Sequence, residues 1–281
     1  MTDDLKVLVI GGTGRVGRML HRYWQAHPPR GIAFSYQARR GGDIIWNAAD
    51  GPGALAAHGP FDRLLVLAGI TPGEDDDLSQ NAVIARTCHA AAAQMGAAHM
   101  LLASSAAIYG TAAAHPYRET DTPAPSSPYG KAKLEAERAV QGQAPPITAL
   151  RIGNVLGADA LMLNAAKASA DHPLTLDQFI DGHGPLRSYI GPATLAQVLE
   201  TLLHAGDALP EVLNIGAPAP IAMQTLLEVS GTPYVMRPAP PDAVQIVTLE
   251  CSALAARHRF DADASTARHM LGQWDHLKDT S

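Results

Sequence analysis

A glycine-rich turn near the amino terminus constrains the fold more than any other feature of the sequence. The apolar run Lys6 to Ile10 leads into GGTGRVG, residues 11–17, and a segment with helical periodicity follows. Small residues between a strand and a helix permit a tight turn and let backbone N–H groups approach a pyrophosphate at the helix amino terminus. The turn predicts a dinucleotide-binding βαβ unit, with a ligand-free glycine turn as the alternative.

We expect six residues of this turn to contact a dinucleotide: Gly11, Thr13, Gly14, Arg15, Val16 and Gly17. The turn lacks the Lys-Ser/Thr ending of a P-loop, which argues against a mononucleotide triphosphate site. After it, apolar residues recur at helical spacing up to Trp24, and Pro28-Pro29 ends the helix.

Strand-like and helical segments alternate over the first half of the chain, which predicts a parallel sheet. Further strands are expected at 32–36, 44–46, 64–67, 99–103 and 147–152. The predicted fold class is α/β, a Rossmann-type doubly wound parallel sheet with a smaller C-terminal substrate-binding lobe. We place the dinucleotide domain at residues 1–155 and the lobe at 156–281, and allow segments of the lobe to return to the main sheet.

Composition excludes several function classes. Among the 281 residues, 21 Lys and Arg stand against 27 Asp and Glu, and this net charge of −6 gives no basic surface for nucleic acid. No apolar run approaches the roughly 20 residues of a membrane span. Cys88 and Cys251 lack ligand spacing and the 12 His residues are scattered, so we expect no metal site. A cytoplasmic protein acting on a small-molecule substrate, with no nucleic-acid or membrane partner, is predicted.

The end of the second predicted strand bears on the cofactor. An NAD site usually presents an acid there for the ribose 2′-hydroxyl, but residues 34–40 read FSYQARR. Arg39 or Arg40, together with Arg15, could pair with a 2′-phosphate instead. This predicts NADP in preference to NAD, while ordinary solvated loop charges are the alternative interpretation.

Three residues in chain order suggest acid/base chemistry. Tyr129 and Lys133 are four residues apart on a predicted helix, so their side chains share a face. An ammonium close to a phenol lowers the phenol pKa and makes it a usable acid/base. Ser105 ends the strand before them, at the carboxyl edge where open α/β sheets bind ligands.

The sequence resembles the extended short-chain dehydrogenase/reductases, also called the NAD-dependent epimerase/dehydratase family. Four stretches carry the resemblance over about the first 155 residues: GGTGRVG at 11–17, ASSAAIYG at 103–110, SPYGKAKLEAE at 127–137 and LRIGNVLG at 150–157. The resemblance implies that Tyr129 is the acid/base, that Lys133 binds the nicotinamide ribose, and that Ser105 orients the reacting oxygen. It also implies a homodimer through helices at 78–95 and 129–141.

Further positions follow from the same resemblance. Leu67, Ala68, Gly69 and Ile152 would line the cofactor pocket, with Val66 beside them, and Asn81 would be a structural residue. Asn154 and Arg187 resemble substrate-binding positions of sugar-nucleotide members. Residues 191–194, GPAT, depart from the family's His, Val and Asp at this point, which weakens the case for a sugar nucleotide.

The net reaction stays open between related chemistries, because dehydrogenases, epimerases and dehydratases share one hydride-transfer apparatus. We expect an NAD(P)-dependent oxidoreductase acting on a carbonyl or hydroxyl carbon of a small polar substrate, sugar derivatives included. A nucleotide-sugar epimerase with tightly bound NAD is the alternative. Dehydratase ranks last, since Ala106 and Ala107 replace the expected acid beside Ser105. A non-catalytic dinucleotide-binding sensor or scaffold is the alternative from another class.

Overall fold

The computed structural model describes residues 4–73, 77–110 and 115–278. The strands are β1 (Leu5–Ile10), β2 (Ile32–Ala38), β3 (Ile44–Ile45), β4 (Arg63–Val66), β5 (His99–Ser105), β6 (Ile147–Ile152), β7 (Asn154–Val155), β8 (Leu174–Gln178), β9 (Leu186–Arg187), β10 (Tyr189–Ile190), β11 (Val212–Ile215), β12 (Ile221–Ala222), β13 (Tyr234–Pro238) and β14 (Ile246–Val247). The helices are α1 (Arg15–Ala26), α2 (Pro52–Ala56), α3 (Gln80–Met95), α4 (Pro128–Arg138), α5 (Ala160–Ala165), α6 (Pro192–Ala205), α7 (Met223–Ser230), α8 (Ser252–Ala255) and α9 (Ala267–Leu277).

The main sheet has seven strands in the order β11-β6-β5-β4-β1-β2-β3, and the pairings from β6 to β3 are all parallel. Strand order reverses between β4 and β1, and this switch point is where open α/β sheets bind ligands. The predicted Rossmann-type α/β fold is confirmed. Residues 111–128 are rich in Pro, Ser and Thr, which predicts a loop. The structure describes this segment only from residue 115.

The chain divides into two compact units, each built from separate segments. The first contains Met1–Gly110, Asp121–Ile152 and Gln197–Leu213, and the second contains Thr111–Thr120, Gly153–Ala196 and Asn214–Ser281. In the first unit β1 is buried on both faces, because residues 7–10 are all apolar. Its α1 buries the predicted apolar stripe, including Leu20 and Trp24.

The second unit has a hydrophobic core of its own around Tyr189, Leu226 and Met270. Small sheets surround this core: β12-β9-β14, β13-β8 and β10-β7. Gln273 of α9 caps the amino terminus of α6 at residues 191–194. Its Oε1 accepts from the backbone N–H groups of Ala193 and Thr194, both at 3.1 Å. None of the described helices is long and apolar enough to cross a membrane.

The close packing of the glycine turn makes a testable contrast between two helical glycines. A Cβ on Gly17 of α1 would lie 2.7 Å from the carbonyl oxygen of Gly12, whereas a Cβ on Gly272 of α9 would meet no atom within 4 Å. We expect Gly17→Ala to destabilise the protein by about 1–3 kcal/mol through overpacking. Gly272→Ala should be neutral or stabilise by up to about 1 kcal/mol. Urea unfolding of both variants measures the difference, and equal midpoints would contradict the described turn.

Candidate active site

The glycine turn lies directly against the chain segment that follows β4. Gly11 has a φ of 87°, and a Cβ on it would be 2.7 Å from the backbone nitrogen of Ala68. Gly14 precedes α1 and has no side chain that could cap it, and the first turn of α1 carries no acidic residue. The helix amino terminus is thus suited to an anion, and the turn fits the pyrophosphate of a dinucleotide.

Gln37, at the carboxyl end of β2, holds this turn in place and was not singled out from the sequence. Its Oε1 accepts from the Gly11 N–H at 3.1 Å, and its backbone oxygen accepts from the Gly12 N–H at 3.1 Å. The side chain is only 3% exposed. No sequence signal marked this residue, because β2 also contains Ser35 and Tyr36 and is only partly buried.

An open cavity of about 630 Å³ adjoins the glycine turn, and its lining includes Thr13, Arg39, Arg40 and Asn47. Both arginines are exposed and follow the carboxyl end of β2. The structure therefore brings the predicted Thr13 and Arg39 to one cavity and adds Asn47, which sequence reasoning missed. Two guanidinium groups beside a hydroxyl and an amide suit a phosphate group.

The predicted contact of Arg15 with a 2′-phosphate stays a prediction. The positive charge of Arg15 acts to lower the pKa of the Tyr129 phenol. The Ser105 side chain also acts to lower the pKa of that phenol. The Ser105 hydroxyl also accepts from the Ala107 N–H at 3.2 Å. Ser105, Tyr129 and the glycine turn all belong to the first unit.

The start of α4 packs against the segment that follows Ser105. Ser127 caps the helix, its Oγ accepting from the Gly130 N–H at 3.0 Å, and Pro128 occupies the first helical position. Gly130 packs so closely on the 3-10 helix at residues 106–109 that a Cβ would be 2.9 Å from the Ala107 carbonyl carbon. Only glycine permits this approach.

Lys133, one turn after Tyr129, is 7% exposed. Its Nζ donates to the backbone oxygen of Ala103 at 3.0 Å. A Cβ on Gly69 would lie 2.8 Å from this Nζ and 2.8 Å from the Oδ1 of Asn81. Asn81 in turn bonds both the backbone N–H and the oxygen of Ile70 at 3.1 Å, so it fixes the segment after β4 around the ammonium.

The direction in which the pKa of Tyr129 is shifted differs from the sequence expectation. Burial raises the pKa of Tyr129, while the Ser105 side chain and the Arg15 charge act in the opposite direction. The predicted lowering by a nearby ammonium is therefore wrong for this structure, because desolvation of the phenolate dominates. Burial also lowers the pKa of Lys133 to about 8, against an opposing effect of Glu137.

The remaining predicted residues lie in both units. Ile152 ends β6 and is the register partner of Ser105 on β5, and Leu67 donates its N–H to the Ile10 oxygen at 2.9 Å. Asn154 and Arg187 belong to the second unit. The Arg187 guanidinium donates to the backbone oxygens of Leu186, Val244 and Gln245 at 2.6–2.8 Å, so its predicted contact with a diphosphate stays a prediction.

With a glycine turn at the switch point of its parallel sheet, the protein is an enzyme of the extended short-chain dehydrogenase/reductase type, as the comparison with known families shows. Residues 7–216 match the model of the NAD dependent epimerase/dehydratase family, and the chain belongs to that family. The resemblance drawn from the four sequence motifs is confirmed. A curated relative, the dTDP-6-deoxy-L-talose 4-dehydrogenase (NAD(P)(+)) of Kitasatospora kifunensis, is 28% identical over 274 residues, covering 86% of this chain and 84% of the relative.

Solved structures share the fold across nearly the whole chain. The Bordetella bronchiseptica enzyme WbmG, in complex with NAD and UDP, has a TM-score of 0.78 at 18% identity, covering 97% of this chain and 96% of that one. The UDP-glucose-4-epimerase of Stenotrophomonas maltophila, with bound NAD and formylated UDP-arabinopyranose, has a TM-score of 0.75 at 19% identity, covering 97% and 98%. Both were solved with NAD, and the family is NAD(P)-dependent.

The depressed pKa of Lys133 predicts a pH-dependent stability. It falls from 10.5 to about 8 on folding, so between these pH values the unfolded chain binds more protons and the free energy of unfolding rises with pH. Across this window we expect the wild type to gain about 3 kcal/mol relative to Lys133→Met. Urea unfolding at several pH values measures the gain. Lys131→Met, on the exposed side of α4, should track the wild type, and a parallel course for Lys133→Met would contradict the prediction.

Proposed function

We propose that this protein is an NAD(P)-dependent oxidoreductase that transfers a hydride to or from a carbonyl or hydroxyl carbon of a nucleotide-activated sugar. Ser105, Tyr129 and Lys133 are the proposed catalytic residues. The observation that carries the proposal is the buried Lys133, one helical turn after Tyr129, whose Nζ donates to the backbone oxygen of Ala103 on β5, the strand that ends at Ser105. This arrangement occurs in the unit that also carries the glycine turn.

The proposed chemistry assigns a task to each side chain. A bound nicotinamide dinucleotide supplies or accepts the hydride. In reduction, the Tyr129 hydroxyl gives its proton to the carbonyl oxygen, and in oxidation the phenolate takes the proton of the substrate hydroxyl. Ser105 donates a hydrogen bond that orients the substrate oxygen. The Arg15 charge and the Ser105 side chain favour the phenolate that remains when the proton leaves, against the effect of burial on Tyr129, and Lys133 binds the nicotinamide ribose.

The substrate class rests on the curated relative, whose name specifies a dehydrogenase acting at carbon 4 of a dTDP-6-deoxy sugar. Net oxidation or reduction is favoured over dehydration, because Ala106 and Ala107 offer no side chain that could remove a leaving group. An epimerase that recycles tightly held NAD is the second candidate, since one of the structural neighbours is an epimerase with bound NAD.

NADP is the proposed cofactor, because Arg39 and Arg40 line the cavity beside the glycine turn. We expect Arg39→Ala to weaken NADPH binding about tenfold or more and to leave NADH binding nearly unchanged, since only NADPH carries the 2′-phosphate. Parallel titrations followed by nicotinamide fluorescence measure both affinities. Arg30→Ala is the matched control, as Arg30 precedes the amino end of β2 and Arg39 follows its carboxyl end. An NADH preference, or co-purifying NAD that does not exchange, favours the epimerase.

Tyr129→Phe tests the catalytic assignment. We expect it to reduce turnover at least about a hundredfold, because the proton acceptor is removed, while the dissociation constant for NADPH stays within about twofold. Oxidation of dTDP-6-deoxy-L-talose and a panel of other nucleotide sugars, followed by formation of NAD(P)H, gives the rates. Tyr234→Phe, in the second unit, should behave as the wild type. Normal turnover in Tyr129→Phe would overturn the mechanism, and cofactor binding without turnover of any substrate would favour the non-catalytic sensor.

A further inference from the structure

A buried ionic network lies beneath the proposed catalytic residues. Arg151 of β6 pairs with Glu137 of α4 through two contacts, Nη2 to Oε2 at 3.0 Å and Nε to Oε1 at 3.3 Å. Ser104 donates its hydroxyl to Glu137 Oε1, and Arg151 Nη1 donates to the Tyr109 hydroxyl at 3.0 Å. The Arg151 guanidinium also lies 4.9 Å from the centre of the Tyr109 ring. All four side chains are more than nine-tenths buried.

Each member of this network adjoins a residue of the proposed site along the chain. Ser104 directly precedes Ser105 on β5, and Arg151 directly precedes Ile152 on β6. Tyr109 ends the 3-10 helix that starts after Ser105. Glu137 follows Lys133 by four residues, so the two side chains share one face of α4. The carboxylate thus joins the strand of Ser105 to the helix of Tyr129 and Lys133.

We propose that Glu137 is a positioning residue of the active site. Its carboxylate, held by Arg151 and Ser104, fixes α4 against β5 and places a negative charge one helical turn from Lys133. The catalytic consequence rests on the function proposed above for Tyr129 and Lys133, whereas the effect on the charge of Lys133 does not.

A buried ion pair is costly to form, because both charges lose their hydration. Replacing such a pair by apolar groups of similar volume is often neutral for stability, so stability alone gives a weak reason for its presence. Here the carboxylate also acts electrostatically on a second positively charged residue of the same helix. Glu137 lies one turn from the only buried lysine among the chain's five, Lys6, Lys131, Lys133, Lys167 and Lys278.

The groups that face Lys133 come from several elements. The backbone oxygen of Ala103 on β5 accepts from the Lys133 Nζ, and the amide oxygen of Asn81 on α3 lies against the same side of Gly69 as this Nζ. On α4, Tyr129 and Glu137 are each one helical turn from Lys133. Arg151 of β6 is paired with Glu137. Glu137 is the charged group that raises the pKa of Lys133, against the lowering caused by burial. Without this carboxylate, the amine would lose its proton at a lower pH.

The test is a pH titration of Lys133 in the complete protein without substrate. Lysine labelled with ¹³C at Cε gives few signals in this chain, and the signal absent from Lys133→Met assigns the buried residue. The test variant is Glu137→Gln/Arg151→Met, which removes both charges and so leaves no unpaired ion. Glu137→Leu/Arg151→Met is the second variant if the first does not fold. Glu135→Gln, on the exposed side of the same helix, is the matched control.

We expect Lys133 to titrate near pH 8 in the wild type and in Glu135→Gln, and at a clearly lower pH in the double variant. Arg151→Met, which keeps the Glu137 carboxylate, is measured as the reference for the double variant. The same titration midpoint in Arg151→Met and in Glu137→Gln/Arg151→Met would overturn the proposal, since these two proteins differ only in the carboxylate.

Turnover of a nucleotide sugar provides a second measurement. We expect the double variant to lose about tenfold in kcat with an unchanged KM for NADPH, and its rate of substrate oxidation to rise at a higher pH than that of the wild type. Wild-type kcat and an unchanged pH profile in the folded double variant would overturn the positioning role. If the wild type turns over no nucleotide sugar, the proposed function fails, and the lysine titration still decides whether Glu137 sets the charge of Lys133.

Discussion

The close approach of two backbone segments at the centre of the sheet underlies the rest of the site. The glycine turn after β1 and the segment after β4 are in contact at Gly11 and Ala68, where a single added carbon would collide with the backbone. β1 and β4 are neighbours at the point where strand order reverses, so this contact lies at the switch point of the sheet. Gln37 holds the turn from the side of β2, and Asn81 holds the segment after β4. The residues at the amino terminus of α1, 13–15, are exposed, as an anion site requires.

A second constraint is the free-energy cost of burying a charged side chain away from water. Burial raises the pKa of the Tyr129 phenol and lowers that of the Lys133 amine, so desolvation favours the neutral form of both groups. The proposed proton transfer through Tyr129 requires that the phenolate of Tyr129 can form. The structure supplies opposing influences from outside the pair, namely Arg15 and Ser105 for the phenol and Glu137 for the amine. Fixed neighbouring groups therefore stabilise the charged forms of these side chains, as water does at an exposed site.

Local patterns in the sequence predicted the fold well. The glycine turn, the strand from residue 147 and the helix around Tyr129 needed only apolar periodicity and turn residues, and the structure has them within a few positions. Family motifs led to Ser105, Tyr129 and Lys133. Their roles in catalysis, the homodimer and the preference for NADP stay predictions.

Long-range polar contacts could not be predicted from the sequence. The bond from Gln37 to Gly11 and the cap that Gln273 gives to α6 join residues far apart along the chain. The ion pair of Glu137 with Arg151 joins a helix to a strand, and no residue pattern encodes that pairing. The pKa direction of Tyr129 was mistaken for the same reason, since the sequence shows a neighbouring charge but not the extent of burial.

The way the chain passes between the two units affects how the protein could be shortened. Residues 197–213 return to the first unit after a long excursion, and they supply most of α6 and the first half of the edge strand β11. A fragment ending at residue 152 would leave β6, whose residues are all buried, as an open sheet edge with unpaired backbone groups. Such edges pair with other chains, so this fragment would be expected to aggregate. The dinucleotide-binding part of this protein is therefore not separable as an N-terminal piece.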